Sequence, residues 1–597
     1  MDSQQQDYDQ RLQSQQQQRL NFYQSSTTKQ DYFESRINFS NKIRRDTKNS
    51  IIQRKRLNGI QADMMIQTQA QNVGSNNLME MGDSQQTQIQ APVISGSQMI
   101  IIDGQSQAPD QHQKVLTLLQ KLIGLPVDLA QTKDQKQNLQ YLRELRQALI
   151  THQDTQTFHQ FIQKGGIQVL AAYLNDQSVS QQLQEEAIWA LTNMSIFSGQ
   201  YEAEFLIVCD ALLMILHSEK IENLGSVLNL KQQALQTLGN LAIDSEKMRQ
   251  KIMNYNPQVN GLKVIIDLMF FNRVQLSEMC LWTLNNFIIA DPKYIIVCIQ
   301  EGLCKAIVHT MDKIQKKTPE LMSELLWCLN YMTNSEDVVI FEILKEIPDI
   351  HKRVSSELPY ASQQFDLPFI RPIISIIGNI VPLRLEYGHE LMYDERFQTF
   401  LLTVLFQPDE ITLYKKECLW VLSNILAGPS EHNFEFILEN KNLLQQIINL
   451  AKSQDYLVKK EALVTLYNLC ENHENRYLQK VMQKDPSSAF FSVLKNYFSS
   501  DPYLLKIAIS YCSLICEKYP DIAIKLIFTE GISEMIENIQ YKFENNQELV
   551  MLSSSFLEKF IYSQSHDSDL PLDDNNINAQ LNNNGSNNNN QQMSFNI

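Results

Sequence analysis

A nine-residue stretch of mixed apolar and polar positions, EEAIWALTN at Glu185–Asn193, recurs along most of the chain. Trp189 and Asn193 stand four residues apart, so on a helix they share one face. The same register returns at five later asparagines and one tyrosine: Asn240, Asn286, Tyr331, Asn379, Asn424 and Asn468. The successive steps are 47, 46, 45, 48, 45 and 44 residues. The pattern therefore predicts one helical unit repeated with a period in the forties.

Helical repeats of that period are typical of armadillo and HEAT solenoids, in which each repeat buries its apolar faces against its neighbours. The predicted fold class is all-α, an armadillo-repeat right-handed solenoid of about ten repeats. Apolar residues make up 43% of the chain, which is enough for such a core. Glycines just before apolar helical runs predict sharp turns between helices, at Gly165-Gly166, Gly261, Gly302 and Gly531.

Composition divides the chain into five segments. Residues 1–18 are rich in glutamine and residues 563–597 in asparagine, which predicts disorder at both ends. Residues 19–57 are basic with spaced apolar residues, and residues 58–113 read as a polar, flexible linker. The solenoid is expected to occupy residues 114–562.

The charge is distributed unevenly. Arg36–Arg56 contains eight lysines or arginines against Asp46 alone, so this segment carries +7. The net charge of the whole chain is −16, which leaves −23 for the rest. An acidic body joined to a basic segment indicates a partner for basic ligands and argues against direct binding of nucleic acid.

Other chemistry finds little support in the sequence. The nine cysteines include no CxxC pair and the ten histidines no HExxH spacing, so neither a metal nor another cofactor is expected. No apolar run reaches the roughly 18 residues that span a bilayer, so a soluble intracellular protein without membrane insertion is expected. No nucleophile, base and oxyanion donor converge in a recognisable motif, and the chain is predicted not to be an enzyme.

The repeated pair suits an extended peptide. An asparagine on each helix could hydrogen-bond to a ligand backbone, and a tryptophan beside it offers a flat face to a lysine or arginine side chain. Nearby glutamates, including Glu186, Glu324, Glu417 and Glu461, would complete cation sockets. The alternative is that the tryptophans belong to the core and the glutamates to ordinary solvated faces.

At this point the residues resemble importin-α, the adaptor that carries cargo bearing nuclear localisation signals. KKECLWVLSNILAGPSEH at Lys415–His432 resembles a third helix of its armadillo repeats, and Tyr331 matches a tyrosine in the family's fifth repeat. Arg36–Arg56 resembles the importin-β-binding domain, with Arg19-Leu20 on its opening motif. EGISEMIENIQYKFENNQ at Glu530–Gln547 resembles the tenth repeat, which docks the recycling exportin.

The resemblance implies three sets of site residues. The major cargo groove would comprise Trp189, Asn193, Asn240, Asp244, Trp282 and Asn286. The minor groove would comprise Glu324, Tyr331, Asn379, Glu417, Trp420, Asn424, Glu461 and Asn468. The importin-β-binding and autoinhibitory positions would be Arg36, Arg44, Arg45, Lys48, Arg54, Lys55 and Arg56.

The implied function is nuclear import. The chain would bind lysine- and arginine-rich signals of cargo proteins, link them to importin-β and shuttle between cytoplasm and nucleus. Gln236 and Val464 replace tryptophans of the family, Ser375 replaces an arginine, and Pro382 follows Asn379, which leaves cargo preference open. A β-catenin-like armadillo scaffold for cytoskeletal or signalling partners is the alternative, although such a scaffold has no need of an importin-β-binding segment.

Overall fold

The computed structural model describes eleven stretches of the chain. They are residues 115–121, 132–151, 155–175, 179–195, 198–218, 226–359, 369–407, 412–427, 431–440, 442–471 and 475–562. The predicted segments 1–18, 19–57, 58–113 and 563–597 lie outside these residues. Contacts divide the chain into two compact units, with the boundary between Phe205 and Leu206.

Unit 1, which ends at Phe205, is helical wherever it is described. After a helical turn at 115–121 come α1 (Thr132–Thr151), α2 (Thr155–Gln163), α3 (Gly166–Asn175) and α4 (Gln181–Met194). Helix α4 packs on both α1 and α3, and its apolar face is fully buried at Leu183, Ile188 and Leu191. The helix α5 (Glu202–His217) contains the boundary between the units.

Unit 2 begins at Leu206 and contains the remaining helices. They are α6 (Ser226–Asp244), α7 (Glu246–Met253), α8 (Gly261–Asp267), α9 (Val274–Ala290), α10 (Tyr294–Gln300), α11 (Leu303–Lys313), α12 (Pro319–Thr333), α13 (Asp337–Glu346), α14 (Ile350–Ser355), α15 (Ile370–Ile380), α16 (Leu385–Leu391), α17 (Glu395–Phe406), α18 (Thr412–Leu426), α19 (Glu431–Glu439), α20 (Leu443–Ala451), α21 (Tyr456–Glu471), α22 (Asn475–Met482), α23 (Ser487–Lys495), α24 (Pro502–Lys518), α25 (Pro520–Thr529), α26 (Ile532–Lys542) and α27 (Gln547–Leu557). No strand occurs among the described residues, so the all-α prediction is confirmed.

Every third helix of unit 2 belongs to one row. Helices α6, α9, α12, α15, α18, α21, α24 and α27 each pack on the next member of that series. We call this series the central row. The repeated positions from Asn240 to Asn468 all lie on central-row helices, near their carboxyl ends. The period seen in the sequence is therefore the distance along the chain between neighbours in this row.

Two kinds of glycine separate the helices. Gly165, Gly302 and Gly531 have φ values of 83°, 96° and 65°, in the left-handed region that favours glycine. Each precedes or joins the start of a helix, as the sequence predicted. Gly261 is different, because a Cβ added there would lie 2.1 Å from the backbone oxygen of Ile252.

Buried polar groups close helix ends inside unit 2. The Lys231 ammonium is 2% exposed and donates to the backbone oxygens of Ile215, Leu216 and Ser218 at the end of α5. Burial lowers the pKa of Lys231 to about 8. Lys518 donates in the same way to the backbone oxygens of Cys470 and Glu471 at the end of α21. These bonds satisfy carbonyl groups that a helix end leaves without partners.

The nine cysteines are all free and buried, as expected of small core residues. No single described helix is both long and apolar enough to cross a bilayer. Helices α10 and α11 are long and apolar enough only when taken together, and they are bent by 65° where they meet. Buried core helices commonly have the same length and composition. Pro382, which follows Asn379 in the sequence, lies in a short 3-10 helix at Val381–Leu383.

Candidate functional site

The contact between α6 and α9 joins a glycine, a tryptophan and an asparagine. A Cβ added to Gly239 would lie 2.3 Å from Cζ3 of Trp282, so the indole packs directly on the glycine backbone. Asn286, one turn further along α9, donates its Nδ2–H to the backbone oxygen of Gly239 at 3.2 Å. We call this arrangement an indole seat: a glycine on one central-row helix, and the tryptophan and asparagine of the next helix that contact it.

The contact between α15 and α18 has the same arrangement. A Cβ added to Gly378 would lie 2.2 Å from Cζ3 of Trp420. Asn424 donates its Nδ2–H to the backbone oxygen of Gly378 at 2.9 Å. In both seats the glycine directly precedes the repeated asparagine of its own helix, Asn240 or Asn379. The described part of unit 2 thus contains two copies of one structure.

Side-chain bonds to backbone oxygens also fix the register of neighbouring helices. Asn468 on α21 donates to the backbone oxygen of Ser423 at 2.8 Å, the same bond without a tryptophan. Thr465 on α21 donates to the backbone oxygen of Leu419, and Thr283 on α9 to that of Leu235, at 3.1 and 2.9 Å. One N–H of the repeated asparagine therefore has a structural role at Asn286, Asn424 and Asn468.

The oxygen of the same amide takes no part in these bonds. Among the described residues, the Oδ1 atoms of Asn286, Asn424 and Asn468 have no hydrogen-bond partner. The Trp282 and Trp420 side chains are partly exposed. The central row therefore holds a series of hydrogen-bond acceptors and two aromatic surfaces in fixed positions. The N–H groups of an extended peptide could bond to these acceptors, and its side chains could pack on the indoles.

Helix α12 lacks a seat. Opposite Trp327 the position that would be glycine is Asn285, whose Nδ2–H donates to the backbone oxygen and to Oε2 of Glu324, both at 3.0 Å. Glu324 is 8% exposed, so this predicted socket carboxylate is already bound by the protein. The Trp327 and Tyr331 rings lie 5.5 Å apart at 30°, beside each other on the same face.

The remaining predicted carboxylates differ from one another. Asp244 is exposed at the last residue of α6. Glu417 is 7% exposed and pairs with the Lys416 ammonium at 2.9 Å. Glu461 is 6% exposed and has no ion pair among the described residues. It lies one turn before Thr465, which bonds to α18 next to Trp420. Glu461 is thus the best placed of these to accept a cation.

In unit 1 the predicted site is already occupied by the protein's own arginines. The Arg146 guanidinium on α1 lies over the Trp189 ring, with Cζ 4.1 Å from its centroid. Glu186 accepts from Nε of Arg146 at 2.7 Å and from Nε of Arg143 at 3.0 Å. The Nδ2 atom of Asn193 is buried without a hydrogen-bond partner. Trp189 and Asn193 share one face, as predicted, but the carboxylate beside them is neutralised.

Two repeated asparagines and three substituted positions remain to be placed. Asn240 is 5% exposed and follows the glycine of the first seat. Asn379 follows the glycine of the second, and its Nδ2 atom is buried without a partner. Ser375 is 9% exposed, whereas Gln236 and Val464 are partly exposed. The basic residues from Arg36 to Arg56 lie outside the described residues.

Sequence reasoning missed the glycine half of each seat and the arginines on Trp189. Gly239 and Gly378 were visible as single glycines inside helical runs, which often have a packing reason. Nothing in the sequence near Trp189 indicates Arg146, because the two residues are 43 positions apart.

Comparisons with known proteins agree with this architecture. The family model of the Armadillo/beta-catenin-like repeat matches residues 159–196. Importin subunit alpha-9 of Arabidopsis thaliana is 22% identical, over 70% of this chain and 78% of that protein. Importin subunit alpha-2 of Oryza sativa subsp. japonica is 24% identical, over 71% and 78%. Importin subunit alpha-1a of the same rice is 25% identical, over 58% and 60%.

A solved structure shares the fold. A crystal structure of an engineered protein from the Northeast Structural Genomics Consortium superposes with a TM-score of 0.59 and 18% identity. The match covers 75% of this chain and 98% of that one. At this identity the likeness concerns the fold alone.

Proposed function

Because the chain is an importin-α-like armadillo protein, we propose that it binds lysine- and arginine-rich nuclear localisation signals and links their cargo to importin-β. Kinship with importin-α subunits supports a role in nuclear import and shuttling between cytoplasm and nucleus. It also agrees with the prediction that the chain is not an enzyme, and it gives no support to the scaffold alternative.

The repeated indole seat is the observation that carries the proposal. Neighbouring helices lie about 8 to 10 Å apart, and an extended chain advances about 3.3 Å per residue. One central-row helix therefore meets a bound peptide every two to three residues. The Oδ1 atoms of Asn286, Asn424 and Asn468 accept from peptide N–H groups whatever the side chains are. Backbone contact of this kind holds the peptide extended.

Selectivity for cations comes from the indoles and carboxylates. A lysine stem packs on an indole held in its seat, and its ammonium lies near a carboxylate. Glu461, enclosed and without an ion pair among the described residues, serves this role beside Trp420. Asp244 serves it at the end of α6, where it is exposed.

Both sets of groove residues are retained as proposals. The minor set, from Glu324 to Asn468, lies wholly in unit 2, as do Asn240, Asp244, Trp282 and Asn286 of the major set. Trp189 and Asn193 belong to unit 1. Residues 19–57 bind importin-β, and the C-terminal repeats around α26 and α27 receive the recycling exportin. Arg54-Lys55-Arg56 competes with cargo for the same sites.

Titration calorimetry of the full-length chain with a lysine-rich signal peptide tests cargo binding. The control peptide has the same length, with alanine in place of each lysine. Saturable binding of the first peptide alone is expected, and affinity should fall as salt rises. Equal binding of both peptides would refute the proposal.

Truncation tests competition by the basic segment. A segment on a flexible tether reaches its site at high effective concentration, so removal of residues 1–57 should tighten cargo binding. Both proteins are titrated with the same peptide at one salt concentration. Equal affinities would exclude autoinhibition while leaving cargo binding intact.

Charge reversal tests the importin-β segment. Changing Arg44, Arg45 and Lys48 to glutamate should abolish pull-down of importin-β at physiological salt. The matched control reverses three exposed lysines of unit 2, Lys313, Lys316 and Lys484. If the first variant binds importin-β as well as the control does, residues 19–57 are not the docking element.

A further inference from the structure

The carboxylate beside Trp189 is paired within the protein, whereas Glu461, proposed to receive a lysine, has no ion pair among the described residues. Arg143, Arg146 and Glu186 together carry a charge of +1, since the two guanidiniums share one carboxylate. Arg146 and Glu186 are each 12% exposed at the side chain, which strengthens their interaction relative to one in open solvent. A further cation would find this carboxylate already shared by two guanidiniums. Glu186 has no free charge to offer it.

The Trp189 ring is also already in contact with a cation. The Arg146 guanidinium lies 4.1 Å from the centre of the Trp189 ring, at the place where a ligand cation would stack. Trp189 therefore already has its cation. In the two indole seats of unit 2 the tryptophan packs on a glycine backbone.

Donors without acceptors surround the same indole. Arg146 uses only Nε, in its bond to Glu186, and neither Nη1 nor Nη2 has a hydrogen-bond partner among the described residues. Nη1 is fully buried, and so is Nδ2 of Asn193 one turn along α4, which also has no partner. Buried donors without acceptors are costly, and a bound acceptor would relieve that cost.

We propose that the cluster of Arg146, Trp189 and Asn193 is an anion-accepting subsite that binds an acidic side chain of the peptide ligand, next to its basic run. The inference rests on the proposed function and specifies the ligand more closely. A carboxylate matches the planar guanidinium, since it can accept two parallel N–H bonds. It would also give acceptors to Nη1 of Arg146 and Nδ2 of Asn193, which have none.

Peptide scanning on the full-length chain tests the subsite. Each peptide carries the same run of five lysines and arginines, with a single glutamate at one of four positions on either side. A matched series carries lysine at those positions. General attraction to an acidic protein favours the lysine series. We expect glutamate to bind more tightly at one position, by about tenfold, which only a local anion site explains.

Two variants that remove the same charge separate the subsite from general electrostatics. Arg146→Gln removes the cation over Trp189 and should abolish the preference for glutamate. Arg143→Gln removes the more exposed partner of Glu186, 54% exposed, and should retain it. Equal losses in both variants would overturn the inference. Should Arg146→Gln fail to fold, Arg146→Lys keeps the charge without the planar donors and should reduce the preference.

Glu186→Gln separates the inference from the expectation that Glu186 receives lysine. Here it should strengthen binding of the glutamate peptide at the favoured position more than at the other positions. An equal gain at every position would overturn the inference. If basic peptides bind but no position favours glutamate, the inference fails and the proposed function stands. If no basic peptide binds, both fail.

Discussion

Helices α9 and α12 are neighbours in the central row and look alike in sequence, yet they present their tryptophans differently. LWTLNN around Trp282 and LWCLNY around Trp327 share the same spacing. Trp282 faces Gly239, and its indole lies against the glycine backbone. The residue of α9 equivalent to Gly239 is Asn285, which bonds to Glu324, and the Trp327 ring lies beside Tyr331. The tryptophan alone therefore does not define a seat.

The difference shows that each seat is built from two helices. One helix supplies the tryptophan and asparagine, and the preceding one supplies a position without a side chain. At Asn285 that position carries a side chain, and no indole seat forms with Trp327 of the next helix. The bond from the repeated asparagine is less demanding, since Asn468 bonds to the backbone of Ser423 equally well.

Replacing the glycine of a seat should have the largest effect on stability and on peptide affinity. Gly378→Ala places a Cβ 2.2 Å from the Trp420 ring, so the indole or the helix must move. We expect the free energy of unfolding to fall by about 1 to 3 kcal/mol. Peptide affinity should fall with it, measured by denaturation and calorimetry.

The control for that change is Ser423→Ala, at the corresponding position of the next central-row helix. The residue of α21 equivalent to Trp420 is Val464, so no indole is displaced. Stability should fall by less than about 1 kcal/mol, from loss of the hydroxyl bond to the Trp420 backbone. Similar losses at Gly378 and Ser423 would contradict the two-helix description of the seat.

Removing the indole tests the comparison between α9 and α12 directly. Trp282→Ala should weaken a lysine-rich peptide by about 2 kcal/mol, from lost cation–π and apolar contact. Trp327→Ala should change affinity much less, because its ring is outside a seat. Calorimetry of both variants with one peptide gives the answer. A larger loss at Trp327 would place the binding surface on α12.

Glu461 and Glu324 differ in the same way, since only Glu324 is bonded to an asparagine of the neighbouring helix. Glu461→Gln removes an enclosed charge without an ion pair among the described residues, and should cost about 1 kcal/mol of peptide affinity. Glu324→Gln alters a carboxylate held by Asn285, so peptide affinity should barely change. Titrations at two salt concentrations check that only the first variant weakens the dependence on salt.

Adding a third seat by mutation should have the smallest effect on peptide affinity. Val464→Trp alone would bring its indole onto the Ser423 side chain, so little gain is expected. Combined with Ser423→Gly, it should reproduce the seat beside Asn468 and add about 0.5 kcal/mol to the affinity of a peptide that reaches it. Equal affinity of the single and double variants would show that the facing position is unimportant.

Much of the architecture could be predicted from sequence because it is periodic. The spacing of the asparagines placed Asn286, Asn424 and Asn468 on equivalent helices, and the structure confirms that placement. The local pattern could not show what faces each tryptophan, since Gly239 and Trp282 belong to different repeats. It also could not show that Arg146 covers Trp189. Contacts between repeats need the register of neighbouring helices, which periodicity alone does not give.

The bond from each repeated asparagine to the preceding helix also has an evolutionary consequence. In Asn286, Asn424 and Asn468 one amide atom sets the spacing between helices, and the other is the acceptor proposed for the ligand. The distance between successive acceptors is thus fixed by the residues that carry them. Selection on stability alone would preserve these asparagines, so a descendant that lost its ligand would keep the same row of acceptors available for another extended peptide.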